Sequence, residues 1–216
     1  MFDITLPDIP VYDQKGLPSG IPRKYQFSVI VGRRQSGKSV LLFNLIKKYY
    51  RHVFDLVLVV SPSAFLDPVW KGLENYKNVV FLDECSPEIL KLILQVQEER
   101  AKQGKDLCMI IDDFGANHSL QGKLNDIATR GRHKRLMCVS SLQYLRQVHP
   151  MTRNNVDNFI IFKLTDKEFK KLAEDVVYDE DAFLQIANTA TEKPYNFLYI
   201  DFRKSKEEMF SRGFPV

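Results

Sequence analysis

The sequence predicts an α/β fold, a three-layer sandwich built on a mostly parallel central sheet. Three observations carry this. Short apolar runs recur along the chain: Phe27–Val31, Val79–Leu82, Leu107–Ile111, Leu136–Val139 and Phe159–Phe162. Segments with helical periodicity separate them. The runs are continuously apolar rather than alternating, as expected of strands covered on both faces. The chain has 216 residues, 44% hydrophobic and 27% charged. That is enough to bury one α/β core and excludes collagenous, disordered and disulfide-scaffold classes.

The elements follow in chain order. Residues 1–24 are interrupted by Pro7, Pro10, Pro18 and Pro22 and read as an extended arm. Its path, along a neighbouring subunit or along its own domain, stays open. Residues 25–202 form the main domain. Phe27–Val31 is its first strand. Ser39–Arg51 is a helix with Leu41, Leu42, Leu45, Ile46 and Tyr49 on one stripe. Asp55–Val60 is the second strand, and Ser61-Pro62-Ser63 breaks the chain before a short helix over Asp67–Leu73. After the strand Val79–Leu82, Ser86 caps a helix that begins at Pro87 and stops near Gly104. Leu107–Ile111 runs into Asp112-Asp113. Ser119–Thr129 is helical, with Leu120, Leu124, Ile127 and Ala128 on one face. Leu136–Val139 is followed by Ser140-Ser141-Leu142-Gln143. Thr165–Val176 opens on a Thr165/Glu168 capping box, and another helix starts at about Asp179. Asn196–Phe202 is the last strand and 203–216 a polar tail. Cys85, Cys108 and Cys138 show no metal or disulfide spacing and read as small core residues of a reducing compartment. The amino terminus lacks a secretory signal pattern, and no apolar run is long enough to span a bilayer.

The segment Gly32-Arg33-Arg34-Gln35-Ser36-Gly37-Lys38-Ser39 matches G-x-x-x-x-G-K-[ST] in full. Glycines let the backbone curl around a phosphate with its amides inward. Lys38 reaches the β- and γ-phosphates of a nucleotide, the Ser39 hydroxyl is a Mg²⁺ ligand, and the following helix adds its positive end. Residues 32–40, through Val40, are therefore the expected ATP-binding stretch. The apolar strand before the loop and the amphipathic helix after it supply the required context.

Hydrolysis needs a second metal anchor and a group to orient water. Asp112 is assigned the metal side and Asp113 the catalytic carboxylate, with Glu84 as a rival base. Gln143 is assigned to sense the γ-phosphate, with Ser141 as second choice. Charge is uneven along the chain. The total is +4, yet residues 123–153 hold seven basic side chains against the single acid Asp126. Arg130-Gly131-Arg132-His133-Lys134-Arg135 is the densest part. Arg132 is the expected arginine finger acting on a neighbour's nucleotide, with Arg130 and Arg153 as alternates. Arg130, Lys134 and Arg135 are the expected DNA-phosphate contacts.

VGRRQSGKS at 31–39, MIIDDFG at 109–115, TRGRHKR at 129–135, SSLQ at 140–143 and MTRNNVDNFIIFKL at 151–164 together resemble the FtsK–HerA group of P-loop ATPases. More narrowly, they are similar to the genome-packaging ATPases of double-jelly-roll DNA viruses. The resemblance covers about two-thirds of the chain and implies a RecA/FtsK–HerA-like fold. It further implies ATP hydrolysis with Mg²⁺, translocation of double-stranded DNA by a ring, commonly a hexamer, contact with capsid or vertex proteins, and a location in the virion or host-cell cytoplasm. The wider group often carries Glu where Asp113 stands. Two other functions fit the motifs: a small nucleoside or nucleotide kinase, and a nucleotide-gated DNA- or capsid-binding adaptor.

Overall fold

The computed structural model describes residues 14–113, 118–176 and 179–215. Eight strands form one sheet in the order β3-β2-β4-β5-β1-β6-β7-β8. They are β1 (Phe27–Val31), β2 (Leu56–Val60), β3 (Val79–Leu82), β4 (Leu107–Asp112), β5 (Leu136–Leu142), β6 (Asn158–Phe162), β7 (Phe197–Asp201) and β8 (Phe210–Arg212). The first six are parallel; β7 pairs antiparallel with β6, and β8 pairs antiparallel with β7. Every residue of β1, β4, β5 and β6 is buried, the signature of a sheet sheltered on both faces.

Side chains alternating across these strands feed two cores. Ile30, Val59, Ile110 and Val139 join Leu42, Ile46 and Tyr50 on one face. Val29, Met109, Ile111 and Phe159 join Leu124, Ile127, Phe169 and Phe183 on the other. The first face is covered by α1 (Lys38–Leu45), a π-helical turn (Ile46–Tyr50) and α2 (Arg51–Val53). The sequence predicts one regular helix there. The wider turn sets Ile46 and Tyr50 together in the core, where the Tyr50 hydroxyl donates to the Pro22 carbonyl. The second face is covered by α3 (Pro87–Lys102), α4 (Gln121–Arg130), α6 (Asp166–Val176) and α7 (Glu180–Ala190). Ser86 caps α3 by accepting from the Ile89 amide. A short α5 (Pro150–Arg153), unforeseen in the sequence, packs near α4. The helix expected over Asp67–Leu73 is a single 3₁₀ turn, Pro68–Trp70, capped by Asp67.

Two terminal segments differ from expectation or resolve it. The described part of the arm, 14–24, lies on its own domain. Lys24 and Tyr25 donate to the buried Asp106, which also accepts from Arg135. The region expected to be a polar tail instead contributes β8, and Phe214 stacks edge-on against Phe197 and Tyr199. Aromatic contacts seat this otherwise polar stretch. All three cysteines are buried and free, and burial lifts the Cys85 thiol to about 11.

Phe214→Ala is expected to lower unfolding stability by about 2 kcal/mol, because it removes an aromatic anchor of the β7–β8 edge. Urea denaturation measures this; an unchanged midpoint would return the segment to the status of a tail.

Candidate functional site

The site sits at the carboxyl ends of β1, β4 and β5, where parallel sheets present their ligand crevice. Strand β5 lies between β1 and β4. The Gly32 amide donates to Leu142 O at 3.1 Å, and the Asp113 amide donates to Ser141 O at 3.2 Å. The glycine-rich loop and the acidic pair are thus both tied to the end of β5.

The loop closes through two left-handed residues, Gln35 (φ 62°) and Gly37 (φ 103°). Gly32 is required for close approach. A Cβ there would lie 2.6 Å from Ser36 Oγ and 2.8 Å from Phe162 Cβ. Lys38 opens α1 and is buried, its Nζ donating to Gly32 O at 2.7 Å and Arg33 O at 3.0 Å. Burial lowers its pKa, opposed by the charges of Asp113 and Asp112. Ser39 Oγ donates to Asp112 Oδ2 at 3.1 Å. Asp112 is 3% exposed. Burial raises its pKa, while the Ser39 hydroxyl and the Lys38 charge counter that rise.

Asp113 is exposed and adopts φ 62°, a conformation strained for most side chains but tolerated by Asp. Its carboxylate accepts from Gln143 Nε2 at 2.8 Å (Oδ1) and 3.2 Å (Oδ2). Gln147 Oε1 in turn accepts from the Gln143 and Tyr144 amides, and Gln147 O accepts from Gln121 Nε2. A chain of glutamines therefore fixes the carboxylate from behind.

A cavity of about 300 Å³ is lined by Arg34, Gln35, Lys38, Ser39, Asp112 and Asp113. Ser63 and Asp67 complete its wall. Sequence reasoning missed both, because the Ser-Pro-Ser break after β2 signals only a turn. A second cleft of about 340 Å³ shares Gln35 and adds Ser36, Phe162, Lys163 and the segment 191–196. There Tyr195, 71% exposed and also left-handed at φ 65°, lies against Gly37. Arg33 and Val40 are exposed beside the loop.

Other predicted residues do not line this cavity. Glu84 is exposed beyond β3, at the sheet edge. Ser141 is buried within β5, paired in register with Asp112. The basic turn Gly131–Lys134 precedes β5, so it occupies the opposite end of the sheet from Lys38. The Arg132 charge acts there on Asp157, whose carboxylate accepts from the Phe27 amide at the start of β1. Lys134 pairs with Glu98, and Arg135 pairs with Asp106 at 2.7 Å. Those two cations are committed within the fold, whereas Arg130 is exposed. Arg153 ends α5, half-buried. The stretch 114–117, including Phe114-Gly115, falls outside the described residues.

Strand, glycine-rich loop, helix and an acidic strand end separated by one intervening strand define a P-loop nucleoside-triphosphatase fold. DNA-packaging ATPase B204 from Sulfolobus turreted icosahedral virus shares it, with a TM-score of 0.66 at 18% identity over 89% of this chain and 98% of that one. The pCW3 conjugation coupling protein TcpA also shares it, with a TM-score of 0.64 at 16% identity over 96% and 69%. The chain belongs to the Poxvirus A32 protein family, whose pattern matches residues 21–196. An uncharacterized protein, 015R, of Frog virus 3 (isolate Goorha) is 25% identical over 173 residues, 77% of this chain and 50% of that protein. Another, 075L, of Invertebrate iridescent virus 6 is 24% identical over 144 residues, 64% and 55%. The chain thus spans about half the length of these curated relatives.

Gly32→Ala is expected to cost about 1–3 kcal/mol of stability by overpacking the loop. Gly122→Ala, at a helical position with nothing within 4 Å, is expected to be neutral or stabilising. Chemical denaturation of both variants measures the contrast, and equal midpoints would contradict the close-approach role of Gly32.

Proposed function

We propose that this protein hydrolyses ATP and couples hydrolysis to the packaging of double-stranded viral DNA into a preformed capsid. The observation that carries the reading is the convergence of Lys38, the Ser39–Asp112 pair and Asp113 on one cavity, with Gln143 holding the Asp113 carboxylate. Membership of the Poxvirus A32 protein family and the fold shared with a viral DNA-packaging ATPase support it.

In this reading the triphosphate lies in the loop, and Lys38 exchanges its backbone carbonyls for phosphate oxygens. Base and ribose extend into the cleft beside Tyr195. Asp113 orients the attacking water and accepts its proton. Gln143 holds that carboxylate and keeps its amide oxygen for the water. Ser39 and Asp112 suit a Mg²⁺ ion. Asp112 Oδ1 is buried without a hydrogen-bond partner. When bound, the ion would neutralise charge on the phosphates.

Arg132 lies far from its own loop, roughly the length of a strand of seven residues, about 23 Å. Its role as a finger therefore calls for a neighbouring subunit, and the arrangement proposed is a ring, a hexamer. Capsid-vertex contact and action in the virion or host-cell cytoplasm belong to the same reading. Among the described residues no helix is long and apolar enough to cross a membrane.

Phosphate-release assays with duplex DNA test the chemistry. Lys38→Ala and Asp113→Asn are expected to lower turnover at least about 100-fold. Gln143→Ala is expected to lower kcat about tenfold with KM little changed, since it loosens the carboxylate and removes an acceptor from the water without touching the phosphate loop. Turnover that survives both of the first two substitutions would refute the site assignment, and ADP production only with a nucleoside acceptor would favour a kinase.

For Arg132, mixtures of Arg132→Ala and wild-type protein are expected to lose activity faster than dilution predicts. Strictly additive titration curves would place its action within one subunit.

A further inference from the structure

The turn after β5 does more than hold Asp113: it also forms one wall of an open cleft of about 350 Å³. Tyr144, Leu145 and Arg146 line that wall, and Lys167, Glu168 and Lys171 of α6 line the other. Lys167 and Lys171 are four residues apart, hence on one helical face. Phe169, Leu172 and Ala173 bury the opposite face in the core, so both lysines stay exposed. The Arg146 guanidinium lies 5.3 Å from the centre of the Tyr144 ring.

The cleft's lining is net positive. Glu168 is its one acidic lining residue, and that carboxylate accepts from the Thr165 amide and hydroxyl at the start of α6. Arg146, Lys167 and Lys171 form no ion pair among the described residues. In the 130–135 turn, by contrast, Lys134 and Arg135 are held by Glu98 and Asp106. One face of Tyr144 is taken by Arg146, so the lining offers cations more than a shelf for unstacked bases. That favours phosphate contacts along a duplex over single-strand stacking.

We propose that the Tyr144–Arg146 turn and the Lys167/Lys171 face of α6 grip the phosphate backbone of duplex DNA. The assignment rests on the packaging reading and deepens it by naming where the polymer is held. The same turn links the grip to the nucleotide site. Gln147 Oε1 accepts from both the Gln143 and Tyr144 amides, and the Gln143 side chain holds Asp113. Gln147 thus ties the backbone that carries Tyr144 to the residue that holds Asp113.

Fluorescence anisotropy tests this with the full chain, AMP-PCP and a labelled duplex of about 30 base pairs, across a salt series. Arg146→Gln/Lys167→Gln/Lys171→Gln is expected to weaken binding at least about tenfold. Its log–log salt slope is expected to be shallower by about 0.9 for each phosphate that the variant leaves unneutralised. All three side chains are exposed, and matching thermal melts would verify that the variant is folded. Arg130→Gln is expected to change affinity less than about twofold. Wild-type affinity in the triple variant, with weakened binding in Arg130→Gln, would overturn the cleft assignment and leave the packaging reading standing. Tighter binding of a single strand than of the duplex through the same three residues would also overturn it. No duplex binding by the wild-type protein would overturn both.

Discussion

The site depends on three parallel strands ending level with one another. Strand β5 pairs with β1 so that Val31 faces Leu142, and with β4 so that Asp112 faces Ser141. These pairings set the distance between the phosphate loop, the metal-side acid and Gln143. A slip of one residue would invert every side chain on β5. It would drive Ser140 and Leu142 to the wrong faces and break the hydrogen bond between the Gly32 amide and the Leu142 carbonyl. The register is well specified because all three strands are buried on both faces, so a misaligned strand has no polar side to tolerate the error.

Around that frame the polar groups carry unfavourable features that the fold must outweigh. Asp112 is a nearly inaccessible carboxylate with one unpartnered oxygen. Lys38 loses hydration and recovers only two carbonyl hydrogen bonds. Asp113 and Gln35 occupy left-handed backbone, typically at a cost of about 1 kcal/mol or more each. Such costs collect where a ligand is to be met, and here all four residues line the same cavity.

Much of this is legible in the sequence. β1 is apolar but for Ser28 and β4 is apolar up to Asp112, and the glycine-rich motif and Asp112-Asp113 close them, so chemistry and position can be read together. The apolar pattern ends β5 three residues short, because Ser140 and Ser141 look like a polar loop yet are buried in the sheet. β8 leaves no signal, since Phe-Ser-Arg has neither the length nor the pattern of a strand and its stability comes from distant aromatic neighbours. The π turn depends on where Tyr50 meets Pro22. Ser63, Asp67 and Tyr195 reach the site from loops after β2 and α7, and only the tertiary arrangement shows which loops converge. For the basic turn the sequence displays the charges but not their partners, Glu98 and Asp106.

Asp106 has a consequence of its own. One inaccessible carboxylate receives Lys24 and Tyr25 from the amino-terminal segment and Arg135 from the turn before β5. Both segments are thereby riveted to the same end of the sheet. Proteolytic trimming past Tyr25 would strip away two of those donors, leaving an acid buried beside a single guanidinium and loosening the turn that carries Arg132.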